Sequence, residues 1–298
     1  MQLVRFFLPG HGARLGQLKG GNVYDLTSTG RPEFSSTSNL LKASLSTPLP
    51  ELLKEVDLSD SSAYVFEHLD VAPAEAAPYL LPPVDRQEVW AAGVTYEWSR
   101  EARVREAQTK DVYVKVYEAE RPELFFKCLG PKAVGPNDWI GLRGDSRWNV
   151  PEPELTLVLN PALDIIGFTI GNDASSRDIE GENPLYLPQA KIYRHSCALG
   201  PVITLSGREF DANAAGIALI IRRGDDTIFA GETQTSRISR QLAELVRFLG
   251  RYNDFPYGAL LMTGTGIVPP DDFTLQDGDI VEVHIEGIGT LRNAVRQM

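Results

Sequence analysis

The chain has 298 residues, 43% of them hydrophobic, which is enough apolar material for one large domain or for a main domain with a smaller one. Its net charge of −11 disfavours nucleic acid and anionic membranes as partners, because phosphate groups bind to basic surfaces. The two cysteines, Cys128 and Cys197, lack metal-ligand spacing and form no disulfide framework. No window approaches the roughly 18 to 20 apolar residues of a membrane-spanning helix. We therefore expect a cytoplasmic protein that binds neither nucleic acid nor membrane.

The first 84 residues predict a small N-terminal α+β accessory domain. Strand-like pieces occur in LVRFFL, RLGQL and NVYDL, and helices are expected over residues 49–56 and 62–69. Residues 71–90 (VAPAEAAPYLLPPVDRQEVW) are rich in proline and alanine and favour an extended chain. We therefore place a domain boundary near Val84.

Residues 85–298 predict a larger catalytic domain. It contains many short β-type runs and few helices. The helices are expected over about residues 98–108, extending up to 117, and over residues 239–249. This pattern favours an α+β fold, mostly β and with mixed or antiparallel sheets, over a doubly wound fold. The sequence has no P-loop, no dinucleotide-binding glycine motif and no G-x-S-x-G, which disfavours nucleotide cofactors and serine hydrolase chemistry.

Residues 151–173 (PEPELTLVLNPALDIIGFTIGND) predict a β-hairpin that carries three carboxylates. Two β-type runs flank the turn residues NPAL, so the loop centres near Ala162. Side chains two apart on a strand share a face, and Glu152 and Glu154 therefore point the same way. Facing residues in a hairpin have a constant index sum, here 325, which places Asp173 opposite Glu152.

Three carboxylates at one point repel one another, and a hard cation with oxygen ligands removes the repulsion. Mg²⁺ is the first candidate, with Mn²⁺ or Ca²⁺ as substitutes. Zinc or copper would favour imidazole or thiolate ligands instead. The alternative without a metal is that Glu152 and Glu154 decorate a solvated strand start and that Asp173 caps a turn.

Three sequence elements, in this order, resemble the fumarylacetoacetate hydrolase superfamily: the E-x-E pair of PEPEL, the segment IGNDASSRD and the ending TGTGIVPPDDFTLQDGDIVEVHIEGIGTLRN. The resemblance covers roughly residues 88–298. It implies a mostly β catalytic domain of that type, with metal ligands at Glu152, Glu154 and Asp173. These are the three residues that the hairpin geometry also selects.

The same resemblance implies an active-site lysine at Lys191, in LPQAKIY, and a substrate-contacting threonine at Thr265, in the TGT turn. A lysine beside a metal-bound ketone could hold a substrate carboxylate, or it could move a proton if the cation lowers its pKa. The sequence leaves both roles open, and the alternative is an ordinary surface lysine.

One motif departs from the hydrolytic members of the superfamily. Their pattern resembles G-x-N-Y-x-x-H, whose histidine works with a glutamate to activate water. This chain has GVTYEWS, with Thr95 at the asparagine position and Ser99 at the histidine position. Loss of the usual base argues against hydrolysis of a carbon–carbon bond.

The strings VYEAERPELFFK, PEPEL and ENPLYLPQAKIY are closer to a branch of this superfamily that dehydrates 2-keto-3-deoxypentonates of the D-arabinonate or D-xylonate type. The resemblance implies a magnesium-dependent hydro-lyase that yields 2-oxoglutarate semialdehyde (2,5-dioxopentanoate). A metal on the C1 carboxylate and C2 ketone would acidify the C3 protons, and hydroxide could leave from C4. The alternatives are a hydrolase or decarboxylase of acylpyruvate-like or oxaloacetate-like acids, and a non-catalytic 2-keto acid binding protein.

Dehydration needs a base near C3 and an acid near the C4 hydroxyl, and the candidates are Lys191 and Glu123. Glu123 could instead form an ordinary ion pair. Tyr96 and Arg100, one helical turn apart, are expected to line the substrate pocket together with Thr265.

Arg177 and Asp178, in the SSRD string, are expected to support the structure rather than to react. The expected partner is a small 2-keto-3-deoxy sugar acid. A symmetric homodimer or homotetramer is the expected assembly.

Overall fold

The computed structural model describes residues 1–59, 61–96 and 119–298. β-Strands dominate these residues. The strands are β1 Gln2–Leu8, β2 Gly12–Lys19, β3 Asn22–Asp25, β4 Ala63–Val65, β5 Tyr79–Leu81, β6 Glu88–Gly93, β7 Glu123–Leu129, β8 Trp139–Leu142, β9 Asn149–Val150, β10 Pro153–Leu159, β11 Ile165–Asp173, β12 Ser175–Ser176, β13 Cys197–Leu205, β14 Gly216–Arg223, β15 Asp226–Gln234, β16 Ala259–Met262, β17 Ile280–Ile285 and β18 Gly289–Gln297.

The helices of the described residues are short. The α-helices are α1 Thr37–Ala43, α2 Leu49–Lys54, α3 Phe66–Leu69, α4 Arg177–Glu182, α5 Leu187–Lys191 and α6 Leu242–Leu249. None of these helices has the length and apolar character that a bilayer crossing requires. The predicted α+β fold, mostly β, is confirmed.

The strands form one large sheet, one smaller sheet and a short pair. The large sheet has the order β4-β3-β2-β1-β13-β11-β10-β16-β6-β7, with β5 on β1, and the smaller sheet has the order β15-β14-β17-β18-β8. The pairs β16 with β6 and β18 with β8 are parallel, whereas the other pairs are antiparallel. The sheets are therefore mixed, as the sequence predicts.

The large sheet curls so that its β7 end returns to β13. Val134, shortly after β7, donates its backbone N–H to the Cys197 carbonyl at 2.9 Å and accepts from the Leu199 N–H at 3.0 Å. The strands β13, β11, β10, β16, β6 and β7 thereby form a closed roll. Closure matters for function because it brings side chains of β7 next to the end of β11.

Strand β10 lies between β11 and β16 in the wall of this roll and is buried on both faces. Leu155 and Leu157 pack in a hydrophobic cluster with Leu219 and Val283 of the smaller sheet. Val158, on the opposite face, belongs to a second cluster inside the roll. A strand covered on both faces is rigid, and it therefore holds the carboxylates at its N-terminal end in fixed positions.

The N-terminal strands continue the large sheet, because Gln2 and Leu3 of β1 lie opposite Thr204 and Ile203 of β13. Side chains of α1 and α2 also belong to the cluster inside the roll. The first 84 residues therefore share a sheet and a core with the rest of the chain. The division into domains at residue 84 stays a prediction.

Two of the predicted helices match α2 and α6 apart from their ends, and one does not. Residues 62–69 contain strand β4 followed by the single turn α3, because Asn22–Tyr24 of β3 offers a pairing edge to residues 63–65. The helix expected over residues 98–108 lies outside the described residues.

Candidate active site

The hairpin of β10 and β11 has the predicted register. The pairs from Pro153 with Asn172 to Val158 with Gly167 keep the index sum of 325, and a bulge then places Leu159 opposite Ile165. Beyond the last pair, the Asp173 N–H donates to the Glu152 carbonyl at 3.0 Å. Asp173 therefore lies opposite Glu152, as predicted.

The three predicted ligands converge at this end of the hairpin. Glu152, Glu154 and Asp173 each offer a carboxylate oxygen, and these oxygens lie within 4.8 Å of one another. All three side chains are buried, with exposures of 3%, 1% and 1%. A compact, buried set of oxygen donors fits a hard divalent cation such as Mg²⁺.

Two of the three carboxylates also contact buried cations. Glu152 pairs with Arg177 at 2.8 Å and with the Lys191 Nζ at 2.5 Å. Asp173 pairs with Lys127 and, at 3.1 Å, with Lys191. Buried ions of both signs offset the cost of desolvating one another. Part of the expected carboxylate repulsion is therefore removed by the protein itself.

Glu154 differs from the other two carboxylates. Its Oε2 accepts the Gly264 N–H at 2.7 Å, and among the described residues no basic side chain forms an ion pair with it. Burial raises the pKa of Glu154 well above its usual value, and the negative charges of Asp173 and Glu152 raise it further. A divalent cation at the three oxygens would supply the positive charge that no basic side chain provides to Glu154 among the described residues.

Lys191 lies at the end of α5 and is 2% exposed, so it is not an ordinary surface lysine. Its ammonium donates to Glu152, Asp173 and, at 2.7 Å, to the Ser175 hydroxyl. The Nζ also lies 5.7 Å from the centre of the Phe125 ring. These contacts fix the end of the side chain at the edge of the carboxylate cluster.

Lys127 is a second buried lysine of the site, which the sequence analysis missed. It is fully buried, pairs with Asp173 and donates to the carbonyls of Ala174 at 3.2 Å and Lys191 at 2.5 Å. Lys127 thus connects β7 to both the metal-ligand hairpin and the helix of Lys191. The available signal was a lysine within the apolar run ELFFKCL, since an unpaired lysine is rarely found in such a run.

Arg177 was expected only to support the structure, but it lies directly against the cluster. It is 2% exposed, and its guanidinium contacts Glu152 at 2.8 Å and Glu180 at 3.5 Å. Asp178, in contrast, accepts from Ser146 Oγ at 2.6 Å and from the Arg147 N–H. The supporting role expected of Asp178 agrees with these contacts.

One cavity brings the carboxylates together with Lys191, Glu123 and Thr265. Glu123 begins β7 and Thr265 follows β16, so both come from strand ends at the same side of the roll. Thr265 is 5% exposed and its hydroxyl donates to the Ile267 carbonyl at 3.2 Å. The cavity thus combines a cation site with groups that can transfer protons or donate hydrogen bonds to a bound acid.

The motif GVTYEWS is only partly described. Thr95 is fully buried and donates its hydroxyl to the Thr263 carbonyl at 2.6 Å, next to the glycine whose N–H binds Glu154. Tyr96 is 1% exposed, and its ring occupies the space beside Gly266. Arg100 and Ser99 lie outside the described residues. The substrate contacts expected of Tyr96 and Arg100 stay predictions.

Comparison with known proteins points to one family and one class of enzyme. Residues 88–296 match the family model described as the C-terminal domain of fumarylacetoacetate (FAA) hydrolase. A probable 2-keto-3-deoxyxylonate dehydratase of Haloferax volcanii is 42% identical over 287 residues, which cover 95% of each chain. The 2-dehydro-3-deoxy-D-arabinonate dehydratase of Saccharolobus solfataricus is 45% identical over 219 residues, covering 72% of this chain and 74% of that one.

A solved structure of a 2-keto-3-deoxy-D-arabinonate dehydratase, complexed with magnesium and 2,5-dioxopentanoate, superposes with a TM-score of 0.84. The sequences are 35% identical, and the superposition covers 100% of this chain and 99% of that chain. A fumarylacetoacetate hydrolase from Exiguobacterium antarcticum has the same fold, with a TM-score of 0.72 at 24% identity. This chain belongs to the fumarylacetoacetate hydrolase family.

Proposed function

We propose that this chain is a magnesium-dependent dehydratase, a hydro-lyase that removes water from a 2-keto-3-deoxypentonate to give 2,5-dioxopentanoate. The observation that carries the proposal is the cavity in which three buried carboxylates meet Lys191 and Glu123. Support also comes from relatives that are 42% and 45% identical and are named as dehydratases of such acids. The stereochemistry at C4 is left open between the D-arabinonate and D-xylonate types.

Glu152, Glu154 and Asp173 would hold the ion. Bound there, Mg²⁺ supplies a Lewis acid for the C1 carboxylate and C2 ketone of the substrate, which lowers the pKa of the C3 protons. Mn²⁺ and Ca²⁺ are proposed substitutes because both prefer oxygen ligands. The dehydratase complex with magnesium and 2,5-dioxopentanoate supports the choice of Mg²⁺.

Lys191 and Glu123 would assist the reaction from the walls of the cavity. The Lys191 ammonium, held by Glu152, Asp173 and Ser175, offers positive charge to an oxygen of the substrate. Glu123 would accept the C3 proton and return it to the departing C4 hydroxyl, so that one water leaves. Moving a proton from C5 to C3, and the proton of the C5 hydroxyl to C4, then gives the C5 aldehyde. Thr265 would turn its hydroxyl from the Ile267 carbonyl to donate a hydrogen bond to the bound acid.

The proposal is tested by incubating the purified protein with Mg²⁺ and each 2-keto-3-deoxypentonate, with the aldehyde product followed by coupled oxidation. Turnover that disappears on chelation and returns with Mg²⁺ is expected. Cleavage of acylpyruvates or release of carbon dioxide from oxaloacetate, with no aldehyde formed, would contradict it. Binding of pyruvate or oxalate without turnover of any of these acids would instead indicate a binding protein.

A cytoplasmic location and a homodimer or homotetramer also belong to the proposal. The location is supported by the free thiols of Cys128 and Cys197, which are buried in the roll. The mass in solution, measured by light scattering, tests the assembly.

A further inference from the structure

The strand pair β6 and β7 ends in a close contact in the wall of the cavity. Gly93, the last residue of β6, lies directly opposite Glu123, the first residue of β7. The Glu123 carboxyl lies across the α-carbon of Gly93. A Cβ built on Gly93 would lie 2.5 Å from the Glu123 Cδ and 3.0 Å from its Oε1. The space that a side chain at position 93 would need is thus taken by the carboxyl group.

This glycine is not required by its backbone conformation. Gly264, which also lines the cavity, has a φ of +90°, which favours glycine whatever its neighbours are. Gly93 is not among the residues with positive φ. Glycine within a strand also weakens the strand, because it gains no side-chain packing and loses more entropy on folding. The contact with Glu123 is therefore the feature of this position that only glycine can satisfy.

We propose that Gly93 is a positioning residue for Glu123: its missing side chain lets the carboxyl cross β6 and enter the cavity beside the three metal-ligand carboxylates. The inference rests on the proposed function, in which Glu123 transfers the proton. In this inference, Gly93 affects the reaction only by positioning Glu123.

The variant Gly93→Ala tests the proposal without disturbing the backbone, because the overlap is with the far end of a flexible side chain. The added methyl group should push the Glu123 carboxyl out of place. General acid–base catalysis contributes roughly 10² to 10⁴-fold, and kcat should fall by about 10 to 100-fold. KM and the Mg²⁺ affinity from calorimetry should change less than about threefold, because the metal ligands are untouched.

The same substitution in a Glu123→Gln background gives a double-mutant cycle. If Gly93 acts through Glu123, Gly93→Ala should cause no further loss of kcat in that background. An equal loss in both backgrounds would overturn the inference. Gly216→Ala is the matched control, since Gly216 begins strand β14 and a Cβ built on it would lie 3.6 Å from the Glu286 Oε2, which is ordinary contact distance.

A crystal structure of the Gly93→Ala protein provides a readout that does not depend on activity. The Glu123 carboxyl should have left its place over position 93, and a carboxyl that remains there would overturn the inference. If the wild-type protein shows no dehydratase turnover, the proposed function is wrong. The crystal structure would still show whether Gly93 positions the Glu123 carboxyl. If the wild type is active and Gly93→Ala keeps full activity, the inference about Gly93 is wrong and the proposed function stands.

Discussion

The carboxylates of this site and the cations that accompany them come from parts of the molecule that are built differently. The carboxylates lie on one hairpin, residues 152–173, and their convergence follows from its register. The cations Lys127, Arg177 and Lys191 come from β7, α4 and α5. They reach the carboxylates only because the roll closes and two short helices fold beside it. A local pattern thus determines the ligand set, and the long-range fold determines its electrostatic environment.

Removing a carboxylate from the hairpin tests the first half of this comparison and should have the largest effect. We expect Glu152→Gln to reduce turnover at least about 10³-fold, because polarisation by a metal supplies several kcal/mol of transition-state stabilisation. Mg²⁺ affinity, measured by calorimetry, should fall as well. Glu286→Gln, at an exposed position after β17, is the control and should behave like wild type. Full activity of the Glu152 variant would remove the metal site from the mechanism.

Removing a basic side chain tests the second half of the comparison, the electrostatic environment that the long-range fold provides. Lys127→Met leaves the buried Asp173 without one of its partners and removes a donor from the carbonyls of Ala174 and Lys191. Breaking a buried pair on one side costs about 3–5 kcal/mol, which urea unfolding should detect as a lower free energy of unfolding. Lys132→Met, an exposed neighbour, should stay within about 0.5 kcal/mol of wild type. A loss below 1 kcal/mol for Lys127→Met would mean that Lys127 does not support the cluster.

The same contrast explains what could be predicted from the sequence. Alternation along ELTLVLN and the NPAL turn determine the hairpin register, because a slip of one residue would move every side chain to the other face. The bulge at Leu159 escaped the prediction, since it changes the pairing beyond Val158 without changing the pattern. It lies at the end away from the carboxylates and leaves their convergence intact.

Other features could not be predicted from spacing. Lys191 and Thr265 were found through the family resemblance alone, and nothing in the local sequence indicates that they share a cavity. Lys127 lies 46 positions before Asp173, and no periodicity links residues that far apart. The role of Gly93 depends on an opposing strand whose register is set by the whole sheet. Long-range contacts of this kind follow from the closed roll rather than from local propensity.

A smaller change tests how the turn after β16, whose Gly264 binds Glu154, is held in place. The buried Thr95 hydroxyl donates to the Thr263 carbonyl, which precedes the glycine that binds Glu154. Thr95→Val keeps the shape and removes the donor, and should lower the free energy of unfolding by about 1–3 kcal/mol. Thr227→Val, at an exposed position of β15, is the control. An unchanged free energy of unfolding for Thr95→Val would show that this hydroxyl does not hold the turn.

The smallest expected effect concerns Glu154, the carboxylate without a basic partner among the described residues. Burial, followed by the charges of Asp173 and Glu152, holds the pKa of Glu154 well above its usual value in the metal-free protein. The neutral form therefore contributes stability that is complete below the unfolded-state pKa and is lost as pH rises through the folded-state pKa.

Metal binding has the opposite dependence on pH, because Mg²⁺ binds the ionised carboxylate. Mg²⁺ affinity should therefore rise with pH over the same range, by at most about tenfold, or 1.4 kcal/mol, per pH unit. Calorimetry in buffers of different ionisation enthalpy should detect up to one proton released per Mg²⁺ bound. Glu154→Gln should abolish that release, whereas Glu286→Gln should retain it. An affinity independent of pH, without proton release, would mean that Glu154 is already ionised in the metal-free site.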